Sequence, residues 1–194
     1  MAARDVECQR SLDCQSLGRC AAEEGRCTYG SDADCRKTEG CRRDGQCTFR
    51  DGGCVVGSDA DCQQSTDCER DGECHARDGR CTQGSDADCR RYSQCSYAGH
   101  CSFGDGGCQV ALASDCKASQ VCALDGRCSL VDGACAATSD QDCRQSSSCT
   151  DQGECTLKDG RCIVGSPADC ANVWWCQPPA SCKVEEGRCA KTGR

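Results

Sequence analysis

Large apolar side chains are scarce in this chain and recur at fixed positions instead of forming runs. Phe49, Phe103, Leu130, Leu157 and Val184 each stand two residues after one cysteine, and Val56, Val110 and Val164 each stand two residues after the next. Between the two positions lies an acid followed by glycine: Glu24-Gly25, Asp51-Gly52, Asp78-Gly79, Asp105-Gly106, Asp132-Gly133, Asp159-Gly160 and Glu186-Gly187. Asp-Gly supplies the two positive-φ residues of a type I′ turn, so the pattern predicts hairpins of two short strands. With Asp51-Gly52 as the turn, Phe49 faces Cys54 and Cys47 faces Val56. Alternation then puts all four side chains on one face.

The polar stretches predict the other element. Ser-Asp-Ala-Asp at 31–34, 58–61 and 85–88, Ser-Asp-Gln-Asp at 139–142 and Ser-Pro-Ala-Asp at 166–169 are helix starts, with serine as N-cap and an acid three residues on. Pro167 suits a first helical position. One helix is expected to run from each start and stop near Gly18, Gly45, Gly72, Gly99, Gly126 or Gly153, with Pro178 and Pro179 ending the last. Residues 35 and 41 would lie about 120° apart on such a helix with 38 midway. That midpoint is Ser11, Thr38, Ser65, Tyr92, Ser119, Ser146 or Val173, mostly small, as close approach of a second layer requires. Each unit therefore reads as a helix lying on a hairpin.

Cysteine makes the repetition explicit. The first of each quartet is Cys8, Cys35, Cys62, Cys89, Cys116, Cys143 or Cys170, and the second is Cys14, Cys41, Cys68, Cys95, Cys122, Cys149 or Cys176. The third is Cys20, Cys47, Cys74, Cys101, Cys128, Cys155 or Cys182, and the fourth is Cys27, Cys54, Cys81, Cys108, Cys135, Cys162 or Cys189. The period is 27 residues throughout, giving repeats at 1–30, 31–57, 58–84, 85–111, 112–138, 139–165 and 166–194. Units of this size lie below the roughly 40 residues at which a chain folds without staples, so disulfides are the default reading. The two hairpin cysteines of a unit are diagonal and should not bond each other. First with third and second with fourth, or first with fourth and second with third, both remain open. Bonding between units would strand Cys8 and Cys189, so closed units are expected. With no insertion anywhere, the expected fold is small disulfide-rich α+β repeats stacked as a rigid solenoid or superhelical rod, capped by the first and last repeats.

Aromatic residues make up 4% of the 194-residue chain, which leaves little for a large core. The net charge of −8, with both signs interleaved, argues against nucleic acid or an anionic membrane surface as partner. No segment is long enough to span a membrane, so no membrane insertion is expected. Residues 1–8 carry no apolar run of a secretory signal, yet dense disulfides belong in an oxidising compartment, so a secreted, extracellular or cell-surface protein is expected.

Candidate chemistry is thin. Thiolate metal binding is opposed by the spacing, since structural zinc sites bring cysteines in at Cys-x2-4-Cys. Calcium could use Asp32, Asp34, Asp59, Asp61, Asp86 and Asp88, but capping already accounts for these acids, and no cofactor is expected. His75 and His100 occupy different repeat positions, and the serines have no evident base, so no enzyme is expected. Trp174 and Trp175 are adjacent, so they cannot both face inward on a helix; they read as a terminal cap or as a contact, with Tyr92 and Tyr97 as weaker hints of contact.

The run Gly-Ser-Asp-Ala-Asp-Cys, then Cys-x2-Asp-Gly-x-Cys-Thr, then Asp-Gly-Arg-Cys, clearest over residues 30–89, resembles tandem cysteine-rich repeats of predicted secreted proteins and lipoproteins of myxobacteria and related bacteria. The resemblance spans the chain and implies no known activity. It departs from the pattern in the first unit, around Leu112-Ala113-Ser114-Asp115 and in the last unit. The expected function is a non-enzymatic extracellular structural protein: a scaffold, a stalk, or a filament subunit joining itself end to end. The alternatives are a module binding a cell-surface protein or glycan along variable helix surfaces, and metal sequestration by thiolates.

Overall fold

A computed structural model describes residues 4–171, 173–176 and 182–192. It contains seven repeats, each with helical segments followed by a two-stranded antiparallel hairpin and each held by two disulfides. The hairpins follow the expected register. Phe49 pairs with Cys54, Ala76 with Cys81, Leu130 with Cys135, Leu157 with Cys162 and Val184 with Cys189. Both turn residues have positive φ in every repeat, for example 51° at Asp51 and 81° at Gly52, the signature of type I′.

The single helix expected in each repeat is instead two. In the second repeat the helices are Asp32–Cys35 and Glu39–Asp44, separated by Thr38 in extended conformation at φ −78° and ψ 156°. The Thr38 hydroxyl donates to the Cys35 carbonyl at 2.7 Å and accepts the Cys41 N–H at 3.0 Å. Ser11, Ser65, Ser119 and Ser146 do the same. A short hydroxyl side chain competes with the helix for its own backbone and is favoured as an N-cap. In these five repeats the midpoint residue is thus small and polar because it caps the second helix, and not merely to let a second layer approach.

The structure also resolves the cysteine pairing. Cys35 bonds Cys54 and Cys41 bonds Cys47, first with fourth and second with third. The longer bridge recurs as Cys8–Cys27, Cys62–Cys81, Cys116–Cys135, Cys143–Cys162 and Cys170–Cys189. The shorter recurs as Cys14–Cys20, Cys68–Cys74, Cys95–Cys101, Cys122–Cys128, Cys149–Cys155 and Cys176–Cys182. Cys89 and Cys108 are disulfide-bonded as well. The second-to-third link follows from the helix end. Gly45 is left-handed at φ 73°, its N–H reaches Cys41 O, and Gln46 N–H reaches Gly40 O, a Schellman reversal that folds Cys47 back beside Cys41. The left-handed glycine recurs at 18, 72, 99, 126 and 153, as expected. Pro178 and Pro179 lie outside the described residues.

The core consists largely of these bridges. Besides cysteines, the buried apolar residues among those described are Val56, Val110, Val121, Ala137, Val164 and Val173. The chain divides into two compact units: residues up to Tyr92 with Phe103–Gly107, and Ser93–Ser102 with Cys108 onward. No described helix is long and apolar enough to cross a membrane.

Candidate functional site: the repeat joint and its clefts

The two acids of each helix start have separate tasks. The first ties its own repeat together: Asp32 Oδ1 accepts the Phe49 N–H at 2.8 Å, 17 residues on. Asp5, Asp59, Asp86 and Asp140 take Ala22, Ala76, Phe103 and Leu157 in the same way at 2.7–2.8 Å. The Ala76 N–H above all, and then the His75 ring, hold the Asp59 carboxyl below the usual range against the opposing effect of desolvation.

The second acid joins one repeat to the next. Asp61 Oδ2 accepts the Gly57 N–H at 2.8 Å and the Thr48 hydroxyl at 2.7 Å, both from the preceding repeat. Asp142 accepts from Thr138 N–H, Thr138 Oγ1 and Ser129 Oγ, and Asp169 from Gly165 N–H and Thr156 Oγ1. A full capping box was the sequence expectation. In these joints the acid also reaches the residue before the cap, and only at Asp169 is the cap's own N–H, that of Ser166, bonded at 3.0 Å besides. Asp34, Asp61, Asp88, Asp142 and Asp169 are all buried. Burial pushes the Asp142 carboxyl up, but its hydrogen bonds prevail and hold it low. A group depressed in the folded state contributes stability above its unfolded pKa of about 3.9, which is lost as pH falls through the lower folded value. The melting temperature of the parent chain is therefore expected to drop more steeply below about pH 4 than that of Asp142→Asn, measured by calorimetry across a pH series.

The glycine that ends each second helix belongs to the same joint. A Cβ on Gly45 would meet Cys81 Sγ at 2.7 Å and Asp61 O at 2.9 Å, both in the following repeat. Cys81 Sγ rests 3.3 Å from Asp44 O, and Cys135 Sγ 3.3 Å from Ala98 O. The fifth repeat departs as its sequence suggested. Leu112 caps nothing, Ala113 has no carboxylate to offer the hairpin, and the buried Asp115 Oδ2 has no partner. Leu112→Ser with Ala113→Asp is expected to restore cap and tie, raising stability by about 1–2 kcal/mol in thermal melts.

Among the described residues, clefts open on one side of at least three joints. The cleft between repeats 1 and 2, about 730 Å³, is lined by Arg19, Tyr29 and Gly52 among others. That between repeats 5 and 6, about 470 Å³, has Arg127, Ala137 and Gly160 in the same places. That between repeats 6 and 7, about 350 Å³, has Glu154, Val164 and Gly187. A cleft thus recurs at equivalent positions of three joints, with volume and side chains that change from one to the next. Burial and then Asp125 push the Glu154 carboxyl up. Glu73, its equivalent in repeat 3, is raised by burial and by Asp67 and Asp71. The sequence placed variable surface on the helices. The concavities instead lie where a helix end meets the next hairpin.

His75 stands in the column that elsewhere holds Thr48, Ser129 and Thr156. Its Nδ1 lies 3.2 Å from Asp59 Oδ2 and its Nε2 3.1 Å from Asp88 Oδ2, so it links two repeats, with the acids on opposite edges of the ring. His100 Nδ1 lies 3.3 Å from Cys108 O. The aspartates considered for calcium act as acceptors for backbone N–H groups. Among the described residues no three His, Cys, Asp or Glu side chains are grouped to hold a metal ion. Trp174 is 71% exposed, whereas Trp175 packs against the cluster of Val164, Cys170, Val173 and Cys176 and donates Nε1–H to Asp151 O at 3.1 Å. Tyr97 is exposed and Tyr92 half-buried. Leu12 is the positional equivalent of Trp174 and is equally exposed, while the five repeats between them carry Glu39, Thr66, Ser93, Gln120 and Ser147 there.

No family model, curated protein or solved structure matches this chain. The likeness to bacterial four-cysteine repeats rests on the motifs alone.

Proposed function

We propose that this chain is a non-enzymatic, exported structural repeat protein, a scaffold or stalk in which the joints continue along the chain as a solenoid or superhelical rod. The observation that carries this reading is the joint itself: a buried acid accepting from the preceding repeat, beside a glycine with no room for a side chain, found at Asp34, Asp61, Asp88, Asp142 and Asp169. Regular nearest-neighbour contacts of this kind give stiffness, and closed bridges support an oxidising compartment. A bridged cysteine offers no thiolate, which weighs against metal sequestration.

Two measurements test the reading. Intact mass after alkylation without reductant should lie 28 hydrogens below the reduced value with no adduct. Small-angle scattering should give the pair-distance profile of a rod. A globular profile would reject the rod, and extensive alkylation would reject the exported address. End-to-end assembly through the exposed Trp174 would be revealed by concentration-dependent sedimentation that Trp174→Ala abolishes. The second reading, a binding module, is favoured by the recurring clefts.

A further inference from the structure

We propose that the two adjoining clefts over repeats 5 to 7 bind a neutral oligosaccharide. Glu154 lines both, so the clefts of two consecutive joints adjoin at that side chain. In the first cleft Asp125 and Glu154 oppose Arg127 and Arg161, a balance of two charges against two that favours neither an anion nor a cation. An uncharged ligand escapes that conflict. Sugar hydroxyls donate and accept at once, and the planar forks of carboxylate, guanidinium and the Gln152 amide supply both roles in paired geometry. Arg127 Nε is held by Cys135 O at 2.9 Å, which fixes its fork.

Trp175 supplies the complementary apolar surface. It lines the second cleft with its indole pinned at Asp151 O and its body packed on the core, so little side-chain entropy is lost when a ring settles on it. Volumes of about 470 and 350 Å³ lie in the range of small-ligand sites. The only buried aliphatic groups in the two clefts are Ala137 and Val164, too little to anchor a peptide through apolar side chains. The inference deepens the binding reading and does not depend on the rod.

The oxidised full chain would be titrated with hexasaccharides of glucose, xylose, mannose and N-acetylglucosamine, using saturation-transfer NMR and tryptophan fluorescence. At least one should bind with a Kd near or below about 1 mM. Glu154→Gln and Arg161→Ala should each weaken it about fivefold or more with circular dichroism and bridge mass unchanged, while Trp174→Ala, outside the clefts, should leave it intact. The proposal is overturned if no hexasaccharide saturates by about 10 mM, if both cleft variants bind as the parent does, or if a charged peptide of similar length binds there instead. Sugar binding by a chain whose scattering is globular would remove the rod alone.

Discussion

Complete reduction in native buffer is expected to unfold every repeat, abolishing the far-ultraviolet circular dichroism of the parent at 25 °C. The buried apolar set is mostly cysteine, joined by a few valines and one alanine, so reduction removes the cross-links and turns the core into loosely packed thiols. Each first-to-fourth bridge closes a loop spanning 19 residues and contributes about 3 kcal/mol through the unfolded chain; each second-to-third bridge spans 6 and contributes about 2 kcal/mol. Replacing Cys62 and Cys81 together by serine should therefore cost more than replacing Cys68 and Cys74. It should also disturb the neighbouring repeat, because Cys81 Sγ rests on Asp44 O. A native spectrum that survives with all 28 thiols shown free by mass would sink the account.

Gly126→Ala is expected to cost several kcal/mol, whereas Gly133→Ala in the same repeat should cost about 1 kcal/mol. Both glycines are left-handed, at φ 71° and 75°, so each alanine bears the same backbone strain. A Cβ at Gly133 meets nothing within 4 Å. At Gly126 it meets Asp142 O at 2.7 Å and Cys143 Cα at 2.9 Å, backbone atoms of the next repeat that cannot turn aside. The difference between the two variants in urea melts isolates the joint from the turn. Equal costs would mean that neighbouring repeats do not press on this position.

The hairpins and units were legible because their signals are local. Asp51-Gly52 specifies a turn by its own φ preferences, and the parity of Phe49 and Val56 follows from it. The helix break at Thr38 was not read, because serine and threonine are tolerated within helices and only the reach of the hydroxyl to Cys41 N–H shows that it caps. The cysteine pairing was undetermined because the hairpin offers Cys47 and Cys54 from one face; only the Schellman reversal at Gly45, which folds Cys47 back beside Cys41, distinguishes them. The joint had a signal that went unused. The column after the third cysteine holds Thr48, His75, Ser102, Ser129 and Thr156, donors that a strand edge does not need. The partners of Thr48, His75, Ser129 and Thr156 lie 13 residues on, across the repeat boundary. The clefts could not be read at all, since concavity depends on how two repeats meet.

The hydrogen bonds to the paired acids span 17 residues within a repeat and 4 or 13 across a joint, and these offsets are fixed within the 27-residue period. Excising residues 58–84 whole brings Thr48 into register with Asp88, which already holds the place of Asp61. A gene for such a chain can lengthen or shorten by recombination between its own copies without inventing a new contact. The length of the product is then quantised in units of one repeat, and natural variation should appear as copy number, while a single inserted residue between cysteines would be selected against.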